Sequence, residues 1–416
     1  MKKTLLSISI SLILSACTGA NTMKQGEFAI IDIETALQNP QELSIADLGK
    51  NLTYVPLETL DESVVKLGSQ SKMIVTDQYI FVGDGQSPLL SFDRSTGKFL
   101  RNIGRIGQGP GEYSNSTTME VDAEAKRIYI RRSASSYQCY DFEGNFLHTL
   151  TMPDDRFMMG SHYFVNNHAY NYCNIAGDGT SSQAYAYQLP EGTLTDSLAL
   201  EGGKERKSKA VMPLMGTEAF GGRFFMMEYE DGTWTAGNRT NSTYQSVGGK
   251  LYHKDLFCDT LFQMNGLHRE KPIAAFHLGS YGGYQRYETS GSMEGKYILP
   301  RVLYNGEQVY FTLFTGVYDV QGIIRKVKSG GVRPSCGIYH LRTGEVKVQK
   351  EDFGFKHPDE VMPKSCIYTL STDGYWIAIH QADQLVEARE NIPVDKQPEW
   401  LKNLKEDDNP VILFIK

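Results

Sequence analysis

The sequence lacks a second long apolar run. Beyond Leu5–Ala16, no segment of the 416 residues is apolar over enough length to span a bilayer as a helix. It lacks an excess of positive charge. Lys and Arg total 42 against 49 Asp and Glu, a formal net charge of -7. That balance argues against a nucleic-acid partner, which needs a basic face. It lacks the short signatures of common catalysis. There is no G-x-S-x-G elbow, no H-E-x-x-H pair and no phosphate-cradling G-x4-G-K-S/T loop. The nine histidines are scattered, and the six cysteines include no C-x-x-C pair that suggests zinc or thiol redox chemistry.

What is present begins at the N-terminus. Met1-Lys2-Lys3 is a short positive region, and Leu5–Ala16 is almost all apolar or Ser. That run is too short to span a membrane but fits the core of a signal peptide. It ends in Leu14-Ser15-Ala16-Cys17, which resembles the lipobox of bacterial lipoproteins. The resemblance implies cleavage after residue 16 and acyl chains such as palmitate on Cys17. Multiple acyl chains anchor stably where one is marginal. Residues 17–27 then read as a lipidated flexible tether, being small and polar. Thr18 is not Asp, and no acidic cluster follows Cys17. The expected location is therefore the cell envelope at the outer membrane, with its periplasmic face favoured over the cell surface. With Cys17 set aside, Cys139, Cys173, Cys258, Cys336 and Cys366 form an odd set. They read mainly as small buried residues in strands.

Residues 28–416 read as one all-β domain. Met73–Val75, Tyr79–Val82, Leu89–Asp93 and Phe99–Ile103 are short apolar runs separated by turn residues. The order recurs in Met119–Asp122, Ile128–Ile130, Tyr137–Asp141 and Phe146–Leu150, about 47 residues on. Looser copies end at Leu198, Leu278, Gln349 and Ile415. Four strands at this period predict a six-bladed β-propeller of four-stranded antiparallel blades. The last copy is one strand short, which leaves a costly open edge. Leu52–Glu58 is predicted to fill it by pairing with Val411–Ile415, and Phe28–Ile33 to add a further edge segment. Asp383–Glu390 and Pro398–Lys405 predict a small helical insert in the last blade. Residues 202–250 and 279–295 are long Gly-rich insertions, where function tends to sit on a rigid scaffold.

Gly104-Arg105-Ile106-Gly107-Gln108-Gly109-Pro110-Gly111-Glu112-Tyr113 resembles the linker of NHL repeats, and Asp407–Leu413 resembles the closing strand of a family of six-bladed β-propeller lipoproteins of Gram-negative bacteria. The Gly-Pro-Gly-Glu motif occurs once rather than in every blade. The resemblance implies the fold and an envelope location, and carries no activity. In the linker, Glu112 is placed to accept backbone N–H groups and lock the crossing; Arg105, Glu112 and Tyr113 are also candidate ligand contacts.

The most suggestive binding segment is Tyr281-Gly282-Gly283-Tyr284-Gln285-Arg286-Tyr287. Tyr281, Tyr284 and Tyr287 with Arg286 suit stacking on a sugar or gripping a peptide. Packing against the blade is the plain alternative. Glu228–Asp231 offers oxygen ligands for calcium, against the plainer account of a solvated loop. Arg131-Arg132 reads as an anion contact on a ring face or as solvated charge, and His162 with His168 as a chance pairing. The preferred reading is a non-enzymatic binding or scaffold module for a glycan, peptide or outer-membrane protein partner. The alternatives are a lactonase-like hydrolase or lyase, with a divalent metal held by axial carboxylates, and a structural part in an outer-membrane uptake complex. No cofactor is predicted.

Overall fold

A computed structural model describes residues 28–67, 71–133, 135–152, 161–173, 181–202, 207–217, 222–238, 244–255, 258–282, 288–289, 295–315, 335–350, 353–358 and 361–416. The chain is mostly β-strand in small antiparallel sheets, as its alternating apolar runs predict. The first sheet holds Lys72–Val75, Tyr79–Gly83, Leu89–Asp93 and Phe99–Ile103 in sequence order. The second holds Met119–Asp122, Arg127–Ser133, Ser136–Asp141 and Phe146–Thr151. The third runs from Ser161–Val165 through His168–Cys173 and Ser181–Gln188 to Thr193–Gly202. The fourth contains Tyr244–Val247, Lys250–His253, Thr260–Asn265 and His268–His277. The fifth contains Tyr297–Tyr304, Gln308–Thr315, Ser335–His340 and Val346–Gln349. In the sixth, Ile367–Leu370, Trp376–His380 and Val411–Ile415 are joined by Leu52–Pro56.

That last pairing is antiparallel, with Leu52 opposite Ile415 and Pro56 opposite Val411. The N-terminal strand therefore fills the edge the final repeat leaves open. Ala382–Arg389 and Glu399–Lys402 form the helical insert, with Pro398 as the cap residue just before the second helix.

Apolar clusters sit between consecutive sheets, where each buries a face it cannot bury alone. Phe81 and Leu89 of the first sheet meet Ile128 and Ile130 of the second. Tyr137 meets Phe164 between the second and third, and Ala184 meets Leu251 between the third and fourth. Phe276 packs with Phe311 between the fourth and fifth, Tyr310 with Trp376 between the fifth and sixth, and Ile377 with Ile80 between the sixth and first.

The leading strands also touch one another in order. Lys72 bonds Glu120, and Met119–Asp122 contacts Ser161–Val165. The Tyr163 and Tyr244 rings lie 6.4 Å apart. The Gln245 side chain donates to the Val302 carbonyl at 3.3 Å and accepts the Tyr304 N–H at 2.8 Å. Arg301 donates to the Ile367 carbonyl at 2.7 Å and to that of Tyr368. The Tyr368 hydroxyl donates to the Ser71 carbonyl at 3.0 Å, back beside the first sheet.

Two features depart from expectation. The insertions at 202–250 and 279–295 contribute to a sheet of their own. Ser208–Thr217, Gly222–Tyr229 and Thr233–Asn238 form it, and Glu288–Thr289 adds its fourth strand, Trp234 lying opposite Glu288. The second concerns the tether. Because Leu52–Glu58 follows the tether closely in sequence and is predicted to close the sixth sheet, the tether is expected to leave from the rim of that sheet. Instead, Ala29–Asp32 pairs in parallel with His268–His277 on the edge of the fourth. The reason is burial. Ala29 and Ile31 alternate inward, Ile33 follows, and all three join the cluster of Phe276 and Leu278. From there the chain runs along the fifth sheet. The Gln41 N–H donates to Val348 at 2.8 Å, and Asp47 pairs with Lys347 at 2.7 Å, before the sixth sheet is reached.

Candidate functional site

The most concentrated polar chemistry among the described residues lies where the first three sheets meet. Lys72 begins its strand, Glu120 and His162 are each second in theirs, and Arg131 and Tyr137 face each other across a hairpin of the second sheet. Lys72 Nζ lies 2.5 Å from Glu120 Oε1, with the two side chains 25% and 14% exposed. Burial pushes the Glu120 carboxyl above the usual carboxylate range, and Lys72 and Arg131 only partly offset it. Arg131 Nε and Nη2 donate to the Tyr137 hydroxyl at 3.2 and 3.1 Å. Arg131 Nη2 and the Tyr137 hydroxyl also approach His162 Nδ1, at 2.6 and 2.8 Å. Burial raises the Tyr137 phenol to about 12, Arg131 opposing it, so the hydroxyl stays protonated.

Sequence reasoning reached Arg131 and His162 singly and missed Lys72, Glu120 and Tyr137. The signal was the repeat itself, since superposing repeats places Lys72, Glu120 and His162 at the same strand end. His168 is elsewhere, its Nδ1 2.9 Å from the Asn166 carbonyl.

The linker residues separate. Tyr113 is fully buried, accepts the Leu89 N–H at 2.7 Å and donates to the Ile103 carbonyl at 2.7 Å. Glu112 accepts the Gly109 N–H at 2.7 Å, while its own carbonyl takes the Gln138 amide at 2.9 Å. Arg105-Ile106 pairs in parallel with Glu112-Tyr113, and Arg105 is exposed. The Glu112 carboxylate thus ties one N–H of the linker itself, and Arg105 is the most open to solvent of the three.

Of the tyrosine segment, Tyr281 is described, while Tyr284, Arg286 and Tyr287 lie outside the described residues, as does Cys17. Tyr281 closes a short turn, half-buried, its ring edge-on to Tyr297 at 5.6 Å. Beside it, the Ser280 N–H and hydroxyl donate to Glu34 at 2.8 and 2.7 Å. On the far side, Glu288–Thr289 is paired into the additional sheet.

Glu228 and Tyr229 end a strand of the additional sheet, and Glu230 and Asp231 begin the hairpin turn after it. Glu228 pairs with Lys209 at 2.8 Å, and Asp231 accepts the Thr233 N–H at 2.9 Å. Among the described residues, no three His, Cys, Asp or Glu side chains gather where they would hold one metal ion. Cys139, Cys258, Cys336 and Cys366 are thiols; Cys139 and Cys336 are buried in strands. Ser365 Oγ lies 2.9 Å from His380 Nε2. Ser365 is wholly buried and His380 nearly so, which gives a substrate no approach. No helix among the described residues is long and apolar enough to cross a membrane.

No curated protein matches the sequence. Three of the solved structures similar to this chain match it at low identity and low structural overlap. A candidate exported protein of Bacteroides fragilis NCTC 9343 is 14% identical, covering 93% of this chain and 99% of its own, at a TM-score of 0.44. A DUF4221-family member from Bacteroides vulgatus ATCC 8482 is 12% identical, covering 91% and 98%, at 0.47. U3-55K is 14% identical, covering 87% and 98%, at 0.40. Overlap this loose assigns no function. The family model described as a domain of unknown function, DUF4934, matches residues 28–416, and the chain belongs to that family.

Proposed function

We propose that the six sheets form a closed six-bladed propeller, held at the outer membrane by acyl chains on Cys17, and that it works as a binding or scaffold module. The cyclic order of contacts between leading strands supports the ring: each sheet touches the next, and Tyr368 returns to Ser71. The N-terminal signature supports the anchor.

One observation carries the binding role. The tyrosine segment is fixed at both ends, by Glu34 and Tyr297 near Tyr281 and by Trp234 opposite Glu288. A segment whose ends are held loses less entropy on binding a ligand than a free one. Tyr284, Arg286 and Tyr287 supply aromatic faces and a guanidinium, suited to a glycan, a peptide or an outer-membrane protein partner.

A glycan array and a peptide pull-down with the full chain test this reading. Binding lost in Tyr284→Ala and Tyr287→Ala supports it, whereas binding unchanged in both rejects the segment as the site. The anchor is tested by metabolic labelling with palmitate. Label on the wild type and none on Cys17→Ser is expected; equal labelling rejects Cys17.

A further inference from the structure

We propose that Lys72 and Arg131, the latter held by Tyr137 and His162, form a receptor for one oxyanion group (carboxylate, sulfate or phosphate) where the first three sheets meet. The argument starts from charge. Two cationic side chains, Lys72 and Arg131, face a single carboxylate, Glu120, and all three residues are partly buried. Lys72 takes that carboxylate at 2.5 Å. Arg131 makes no hydrogen bond to it. The bonding partners of Arg131 are the Tyr137 hydroxyl and the His162 ring, neither of which carries negative charge. Arg131 Nη1 donates to no described group, although the side chain is only partly exposed.

A half-buried guanidinium with no anion hydrogen-bonded to it is a costly arrangement. A guanidinium N–H also makes strong charge-assisted bonds to a carboxylate, sulfate or phosphate oxygen. Tyr137 and His162 hold the Nε/Nη2 side of the Arg131 guanidinium, which leaves Nη1 to meet a ligand. Lys72 has two further N–H donors beyond the bond to Glu120. The same charges disfavour a divalent cation beside Glu120, since Lys72 already occupies that carboxylate.

The proposal deepens the binding role by naming the charge of the ligand, and it rests on that role only in taking the anion to come from outside. Sodium acetate, sulfate and phosphate are titrated separately into the full chain in detergent, at constant ionic strength, by calorimetry. Saturable binding of at least one is expected, and the preferred anion separates a carboxylate-bearing ligand from a sulfated or phosphorylated one. Arg131→Gln and Lys72→Met should each weaken it by about tenfold or more, as loss of a charge-assisted bond implies. Arg342→Gln, on an exposed turn of the fifth sheet, should leave it unchanged. Arg131→Lys keeps the charge and loses the bonds to Tyr137 and His162 that aim Nη1, so an intermediate loss is expected even if the Gln variant melts. No saturable heat with any of the three anions overturns the proposal, as does wild-type affinity in both Arg131 variants. Tyr284→Ala tests the tyrosine segment alone and should not alter these titrations, so either site can fail without the other.

Discussion

Arg94 and Asp373 pair at 2.9 Å across the seam between the first and sixth sheets. Arg94 also donates to the Thr76 carbonyl at 2.6 Å and lies over the rings of Tyr375 and Phe414, at 4.7 and 5.0 Å. Its side chain is 12% exposed, that of Asp373 37%. The guanidinium thus stacks, bonds a backbone carbonyl and pairs in one place. Arg94→Ala should cost about 2–3 kcal/mol in urea unfolding. Arg94→Lys should recover little, because an ammonium lacks the planar stacking face. Asp373→Asn should cost under about 1 kcal/mol, the pair being half open to water. Full recovery by Lys would show that charge alone matters there.

Asn409 gives the second prediction. It is 2% exposed and ties together two distant parts of the chain. Its Oδ1 accepts the Val65 N–H at 2.7 Å, and its amide donates to the Glu58 and Ser63 carbonyls, both at 2.8 Å. Asn409→Ala leaves three buried groups unsatisfied and should cost about 3 kcal/mol. Asn409→Asp should be at least as harmful despite its shape, because a carboxylate oxygen would face two carbonyl oxygens. An Asp variant as stable as wild type, measured by urea melts at neutral pH, would contradict this bonding scheme.

These residues show what the sequence made legible. Strand order was readable because each strand alternates and each break carries turn chemistry, as at Asp93, whose carboxylate accepts the Ser95 and Thr96 N–H groups. The edge-filling role of Leu52–Pro56 followed from counting strands. Asp407–Leu413 stood out as a motif, but the bonds of Asn409 to Val65 and Ser63 span more than three hundred residues and leave no local trace. The extra sheet leaves little trace in the sequence because its strands are separated by Gly-rich stretches and its last strand, Glu288–Thr289, is only two residues long. The Arg131 cluster was hidden for a related reason. Its members come from three repeats, and only the shared strand end unites them.

A third prediction concerns acid. Burial, with His357 adding repulsion, holds His380 down to about 4. Burial, with Arg269 and Lys254, holds His253 down to about 3. An unfolded histidine titrates near 6.5. Above that pH both states are neutral at these positions and neither contributes a slope. Below it the unfolded chain takes up protons that the folded chain refuses, so stability falls as pH drops from about 6.5 towards 4, and further for His253. At about 1.4 kcal/mol per pH unit, His380 alone removes roughly 3 kcal/mol by pH 4. The lowered carboxylates Asp84, Asp93 and Asp141 contribute their losses only below about pH 4. Urea melts at pH 7, 6, 5 and 4 measure the slope. His380→Gln should flatten part of it, and a flat wild-type profile would show that the imidazoles charge without cost.

The linker supplies the last test, because it separates architecture from binding among Arg105, Glu112 and Tyr113. Gly104 has φ +63, and a Cβ there would lie 2.5 Å from the Tyr140 hydroxyl and 2.8 Å from the Tyr113 ring. Those are the rings that hold the crossing, Tyr113 through Ile103 and Leu89 and Tyr140 through the Gly111 carbonyl. Gly104→Ala combines a left-handed backbone with a clash against two buried rings and should cost about 2–4 kcal/mol. Tyr113→Phe keeps the packing and removes both hydroxyl bonds, for about 1–3 kcal/mol. Arg105→Ala changes an exposed side chain and should leave the melt within about 0.5 kcal/mol. If ligand binding falls in Arg105→Ala while the melt holds, the linker also has a recognition role. If binding holds in Arg105→Ala and stability falls only in the other two variants, the segment serves the crossing between the first two sheets.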